Sequence, residues 1–587
     1  MTLKRAFWEK RIYILGLAGM LITTFPMILW KDFYLDWFRN TWLIEYYGEY
    51  FKSHFAFPEV INAFGEGKYQ NYVGMMHPSY YGVWFYRIEG IFCALLGGGA
   101  RRALFLTASI CSLIQWIVWF RLIRKVTGKQ STAAFISLIN QISIYGLTNL
   151  YCRNAVPEFF ACIALSITVG LWLNSVITDK AGVKVCCWLG CGLFLSLMMG
   201  THPITTLLGG IFLILLFLST IWKVLKDWKW QYLLCGGIIF PLVTLSAAPW
   251  LYSVLNYNVS VMAGGKIKYT EGIDELILRL FPLPRCTASF ESVLTWHLDA
   301  QVNVYLWLLW TFLLAVIFIK RGIHIKYKMC VAIVYVTGVG LLLISSIPEL
   351  GNFLPDFLGI IQFAYRLVTY CDLIALVGIV QCLFILNREK IAIEELGIIV
   401  WTLLVAAGMS YLVKVVNISE IGDQYDYDSK TYVELTDAFY NPDDYMDSSE
   451  WNVISEEKVE AAKKISFPVN DEKNFGETEI IHLSMAEDGW TGINVYPHGE
   501  NNLYINGIKL SHDKMYLTED RSWSYVYLEK GNYTLEYRYE ETIVKEILDI
   551  LSGVSIFLLC TGSLGACITY GINLRKKEKG GRLASGK

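Results

Sequence analysis

Charged residues are scarce in this chain. Asp, Glu, Lys and Arg make up only 17% of its 587 residues, 55% are hydrophobic, and mean hydropathy is +0.41. That excludes an ordinary soluble domain, in which about a quarter of residues are charged. There is no basic excess either. The formal net charge is −2, which leaves no basic patch for nucleic acid and excludes it as a partner. Cysteines in metal-ligand or redox spacing are also missing. The 14 cysteines are scattered, mainly within apolar runs, and after residue 420 none occurs before Cys560. This argues against a disulfide framework, a CxxC redox centre and a zinc site.

What the chain has is apolar length. Runs of roughly twenty apolar residues, enough to cross a bilayer, recur about twelve times. They read as 12–30, 102–121, 131–150, 157–177, 185–200, 204–222, 231–252, 303–319, 329–347, 366–387, 396–415 and 547–572. The first follows Lys4, Arg5, Lys10 and Arg11, has no small-residue cleavage site after it, and reads as an uncleaved signal anchor. With the N-terminus in the cytoplasm, the inside segments are Arg121–Lys129, Asp179–Lys184, Lys223–Lys229, Lys320–Lys328, Asn387–Lys390 and the tail from Arg575. All are basic, as the positive-inside rule requires, and both termini fall inside. The 20 Trp, 36 Tyr and 31 Phe suit interfacial belts.

Three outside segments are long: 31–101, 253–302 and 416–546. The first is aromatic and predicts helices lying along the membrane surface. The second carries Gly264-Gly265-Lys266 and Arg279. In the third, alternation over Asn502–Leu510, Trp523–Leu528 and Tyr533–Tyr539, with turns at Asn506-Gly507 and Lys530-Gly531-Asn532, predicts antiparallel strands and a small β-sandwich. The expected fold class is therefore a polytopic α-helical membrane protein. It comprises a transmembrane domain over 1–415, an extracytoplasmic β-rich domain over 416–546, and a final anchor with a basic tail over 547–587.

Isolated ionisable residues gather at the outer ends of the spans, where such groups mark a site. Asp32 and Asp36 follow the first span directly. Asp32 suits headgroup anchoring, whereas Asp36 is a candidate general base. His77-Pro78 precedes a predicted helix start. Arg87 and Glu89 are spaced to pair with each other or to face headgroups. Between the third and fourth spans, Tyr145-Gly-Leu-Thr-Asn-Leu-Tyr-Cys-Arg153-Asn-Ala-Val-Pro-Glu158 puts Pro157 at a helix start and Glu158 in the first turn, where the helix dipole favours an acid. Helix initiation leaves Arg153 unexplained, and a guanidinium there suits a phosphate. His202 opens the sixth span, beside a Pro and Thr residues that initiate the helix without it. Arg366, after Gln362-Phe363, stands at the bilayer edge and needs a partner: an anionic lipid head, or Asp372. A six-residue offset does not put that pair on one helix face.

These motifs resemble the YfhO-like, 6-pyruvoyl-tetrahydropterin synthase-related bacterial membrane proteins, relatives of the GT-C glycosyltransferases. The resemblance extends over nearly the whole chain. Asp36, Pro58 and Met76-His77-Pro78 match the family's first outer loop. Tyr145 to Glu158 matches its Tyr-x-Leu-x-Asn-x-Tyr-x-Arg-x-Ala-x-x-Glu block, His202 its span-start His, and Gln362, Phe363 and Arg366 its Gln-Phe-x-x-Arg motif. The hairpins near Asn506-Gly507 and Lys530-Gly531 are similar to its late β-domain. Where the family has a His and an Arg after the first Asp, this chain has Asn40 and Leu43, with Arg39 offset. The resemblance implies a polyprenyl-phosphate-linked sugar donor, a glycan or polymer acceptor and a site within the lipid bilayer's outer face. Asp36 would be the catalytic base, and His77, Arg153, Glu158, His202, Gln362 and Arg366 would bind substrate. A polyprenyl phosphate leaves without a general acid, so one carboxylate suffices, and cationic side chains would neutralise the phosphate. This differs from the two-carboxylate logic of glycosidases. No organic cofactor is implied, and no ligand spacing points to a divalent metal, although the chemistry leaves room for one.

Two other classes stay open at this point. Twelve spans suit a transporter or lipid flippase, but paired broken helices in two halves are not evident and few ionisable residues lie mid-span. A non-catalytic envelope protein, with the β-domain as a binding module, is the other.

Overall fold

Lipid offers no hydrogen-bond partner, so apolar chain that enters it must satisfy its own backbone, and helices do this within one segment. The computed structural model follows that rule. It describes residues 2–29, 36–61, 83–226, 230–256, 267, 300–361, 363–391, 395–424, 452–467, 478–495, 500–517 and 524–584. The helices are α1 (Thr2–Thr24), α2 (Asp36–His54), α3 (Val83–Leu95), α4 (Ala100–Thr127), α5 (Gln130–Gln141), α6 (Val156–Ile177), α7 (Ala181–Met199), α8 (Pro203–Lys226), α9 (Trp230–Asn256), α10 (Val304–Ile319), α11 (Ile325–Ser346), α12 (Val368–Arg388), α13 (Leu396–Gln424) and α14 (Ile543–Ala584). Among the described residues, nine helices are long and apolar enough to cross a membrane, and Ile12–Thr24 and Val304–Ile319 are shorter apolar helices. The molecule has the architecture of a polytopic membrane protein.

The expected span over 131–150 is not one helix. Helix α5 stops at Gln141, a four-residue helix covers Ile144–Leu147, and a π-helical turn covers Thr148–Cys152. Ser143 makes the restart, its Oγ accepting from the Gly146 N–H at 3.3 Å. Asn154 then takes a positive φ of 53°, which Asn tolerates better than most residues, and α6 begins two residues later. The apolar run is continuous in sequence, but its local hydrogen bonds break it.

Most of the core is one apolar cluster running through α4, α5, α6, α10 and α12, with Trp116, Trp119 and Trp310 fully buried. The close fit is sharpest at Gly378 of α12, where an added Cβ would fall 2.1 Å from the Trp310 ring. At one end of the helices the basic segments come together. Thr127, Lys129, Asn387 and Lys390 line a shared pocket, and Gly182 lies against Tyr570.

Beyond α13, the described residues form nine strands in two sheets around a shared core that includes Phe467, Ile493, Leu503, Val526, Leu535 and Tyr537. In chain order they are β1 (Asn452–Val453), β2 (Lys463–Ile465), β3 (Thr478–Met485), β4 (Gly489–Ile493), β5 (Asn501–Ile505), β6 (Ile508–Lys509), β7 (Tyr516–Leu517), β8 (Ser524–Leu528) and β9 (Gly531–Tyr539). The sheet orders are β1-β7-β8-β4-β2 and β3-β9-β5-β6. Asn506 and Gly507, both at positive φ, turn β5 into β6 as the sequence predicts. The turn at Lys530-Gly531-Asn532 does not make a hairpin. β8 and β9 on either side of it lie in different sheets, and β9 pairs with β3 and β5. Two pairings, β1 with β7 and β2 with β4, are parallel, which the antiparallel expectation missed.

Candidate functional site

The end of the bundle opposite the basic segments carries the ionisable cluster. The π-helical turn hands the chain to Arg153, whose N–H donates to the Thr148 carbonyl at 2.9 Å. Such turns often mark functional sites. Asn154 Nδ2 closes the corner on the Leu150 carbonyl at 2.8 Å. Pro157 lies in the first turn of α6 and Glu158 follows it, as read from the sequence.

Glu158 is the hub. Its Oε1 accepts from Tyr145 Oη at 3.0 Å and Arg153 Nη1 at 3.3 Å, and its Oε2 accepts from Arg153 Nη2 at 3.1 Å. Arg366 Nε forms a second ion pair with Oε2 at 3.3 Å. Arg153 is further held by Asn149 Oδ1 at 2.6 Å and lies 4.5 Å over the Tyr365 ring. Arg366 donates from Nη1 to the Ile361 carbonyl at 3.1 Å and sits over Phe363. The partner that the edge arginine requires is therefore Glu158. Asp372 is bonded elsewhere, to the Asn303 N–H at 2.7 Å.

The two arginines differ in access. The Arg153 side chain is 5% exposed and that of Arg366 is 12%. With one carboxylate between two guanidiniums, the trio carries one net positive charge.

His202 is buried within electrostatic reach of Glu158, Arg366 and Arg153. Burial and the two guanidiniums push its ring down to about 3 against the pull of Glu158, so the imidazole is neutral. Its Nδ1 accepts from the Thr205 N–H at 3.2 Å and faces Thr205 Oγ1 at 2.8 Å. The proton is then on Nε2. Contrary to the expectation that helix initiation does without it, His202 caps the start of α8.

Asn40 is buried. Its Nδ2 donates to the Asn154 carbonyl at 2.9 Å and its Oδ1 accepts from Tyr86 Oη at 2.7 Å. This docks α2 on the Arg153 corner. Asp36 is the first residue of α2, one turn before Asn40, but its side chain lies outside the described residues. So do His77, Gln362, Asp32, Met76, Gly264, Lys266 and Arg279.

Arg87 and Glu89 do not pair with each other. Arg87 forms a two-pronged bond to Asp549 of α14, Nη2 to Oδ2 at 2.7 Å and Nη1 to Oδ1 at 3.0 Å, and reaches Glu59 at 3.4 Å. Glu89 accepts from the Thr107 hydroxyl. Lys545 joins Glu500 of the β-rich region at 3.1 Å. These contacts were missed. The available signal was charge at the start of the last apolar run, at Lys545 just before it and Asp549 within it.

Among the described residues no group of three or more His, Cys, Asp or Glu could hold a metal ion. No protein-family model matches the chain, and no curated protein matches it either.

Proposed function

We propose that this chain is a GT-C-type membrane transferase, moving a sugar from a polyprenyl-phosphate donor to a hydroxyl of a cell-envelope glycan or polymer at the outer membrane face. The observation that carries this reading is the net-positive trio of Arg153, Glu158 and Arg366 at the bundle end remote from the basic segments. An anion is the ligand such a trio favours, and a phosphate at the lipid edge fits its position. Arg366, the more accessible guanidinium, meets the phosphate. Arg153, spent on Glu158 and Asn149, holds the frame. His202 offers an Nε2–H donor. The Asp36 carboxylate takes the proton of the acceptor hydroxyl as its oxygen attacks the anomeric carbon. The bond to the phosphate oxygen breaks and its electron pair leaves with the polyprenyl phosphate.

Twelve crossings follow if the two shorter apolar helices and the broken segment 130–152 join the nine long helices. Basic segments then face the cytoplasm with both termini, and the two-sheet region lies outside. The family resemblance supports the same arrangement.

Transport would rest on the cavity between the helices that Asn149, Phe159 and Asp372 line. Its volume of about 80 Å³ is well below the roughly 300 Å³ or more that a drug-sized ligand fills, so transfer is the better reading.

The test is sugar transfer from labelled polyprenyl-phosphate sugars in proteoliposomes, with the native chain against Asp36→Asn. Transfer lost in the variant with donor binding retained supports the assignment. Transfer untouched by the substitution removes Asp36 from the mechanism. Solute or lipid movement without transfer by any donor overturns the enzyme reading.

A further inference from the structure

Asp372 of α12 poses a problem that the proposed transfer does not use. It is buried within an apolar helix long enough to span the membrane. Among the described residues one hydrogen bond reaches it, from the Asn303 N–H. Among the described residues the ion pairs of this end go to Glu158, Asp549, Glu59, Glu500 and Glu541, and none goes to Asp372. A carboxylate at such a place must be balanced by a protein cation, a proton or a bound ion. The first is absent among the described residues.

The cavity of about 80 Å³ mentioned above adjoins Asp372. Its wall is largely apolar, with Leu150, Phe159 and Ile163, but the oxygens of Tyr145, Asn149 and Thr369 also line it. Thr369 stands three residues before Asp372, hence on the same helix face. Its hydroxyl donates to Cys162 Sγ at 3.4 Å, which leaves the oxygen lone pairs for another partner. Two further wall atoms, Asn140 Nδ2 and Gln141 Oε1, have no hydrogen-bond partner among the described residues and call for water. A water occupies about 30 Å³ in the liquid, so the space fits one small ion with one or two waters.

We propose that Asp372, Thr369 and the neighbouring oxygens hold a partly hydrated monovalent metal cation, with sodium as the probe. One carboxylate among neutral oxygen ligands matches a single hard positive charge, whereas divalent ions draw on more carboxylates. Tyr145 and Asn149, which also bind Glu158 and Arg153, join this cavity to the Arg153 corner. The ion thereby steadies the corner without touching substrate.

The experiment is thermal unfolding of the purified full chain in detergent, with NaCl replacing choline chloride at constant ionic strength. The expected result is a midpoint that rises with sodium and saturates. Asp372→Asn keeps the shape and an acceptor for the Asn303 N–H but removes the charge, and should weaken the sodium response about tenfold or more. If that variant does not fold, Thr369→Ala serves, with half-saturation shifted upward several-fold. A native chain indifferent to sodium, as a carboxyl carrying its own proton would be, overturns the proposal. So does a sodium response undiminished in both variants. No donor or transfer is read, so this outcome is independent of the enzyme assignment.

Discussion

Replacing Glu158 by Gln is expected to destabilise the protein by about 3–5 kcal/mol, the usual cost of removing one member of a buried ion pair. The structure says why the shape-conserving change is severe. Glu158 is 2% exposed, accepts from Tyr145 and from both terminal nitrogens of Arg153, and forms an ion pair with Arg366. Gln keeps one carbonyl oxygen, which can still accept from Tyr145 or Arg153. It removes the charge within the trio that opposes two guanidiniums, so the trio goes from one net positive charge to two. The lost charged contacts, at roughly 1.5–3 kcal/mol each, would exceed the range above, and the surviving carbonyl bond brings the net back into it. The assay is unfolding of the detergent-purified chain, by heat or by a denaturing detergent, against the native protein. The control is Glu158→Gln combined with Arg153→Gln, which restores a single net charge and should recover at least about half of the loss, since neighbouring effects in one network do not add. A Glu158→Gln protein within about 0.5 kcal/mol of native, the range of ordinary surface changes, would refute the hub reading. A double variant no more stable than the single one would refute the charge argument.

Arg366→Lys keeps the charge and loses the planar fork, so donor affinity is expected to fall about tenfold with the fold intact, read as KM for the lipid-linked sugar. Asn40→Ala removes the bond to the Asn154 carbonyl and leaves Tyr86 without its acceptor, with an expected loss of about 1–3 kcal/mol in the same unfolding assay. Burial pushes the Glu59 carboxyl up to about 7, with Asp549 adding to the rise and Arg87 opposing it. The folded chain then holds that proton more tightly than the unfolded one. Stability from this group is complete below about 4.5 and is lost as pH climbs towards 7. Glu59→Gln should flatten that fall, and a difference curve unchanged between pH 4.5 and 7 would contradict it.

The apolar helices were legible because each is a long run with polar ends, and the site residues were legible because charge beside such a run is costly. What stayed hidden is what touches what. Arg366 and Glu158 meet across two helices far apart in sequence, and no spacing rule connects them. The break inside 131–150 comes from the Ser143 cap and the π-helical turn that follows, in a stretch whose polar residues do not by themselves mark where it falls. β3 escaped because Ile480-Ile481 interrupts its alternation. Lys530-Gly531-Asn532 has hairpin composition, yet the partners of β8 and β9 are chosen by the core both sheets share. The sequence marks His202 as a site residue, while its service as a helix cap rests on the Thr205 N–H that its Nδ1 accepts, which no spacing rule reveals. Whether Asp36, His77 and Gln362 share the site lies outside the described residues.

Helix α14 has a further consequence, for the order in which the molecule is completed during synthesis. Trp84 and Arg87, near the beginning, find their partners in Ser552 and Asp549, near the end, and Ser552 also bonds the Ser246 carbonyl of α9. Until the ribosome has delivered α14, the Arg87 guanidinium and the Trp84 indole lack those partners, and α7 and α9 lack the neighbour that covers them. The bundle thus closes from its tail. A nascent chain stopped before residue 543 should linger with its insertion machinery or be degraded, whatever the integrity of the helices already made.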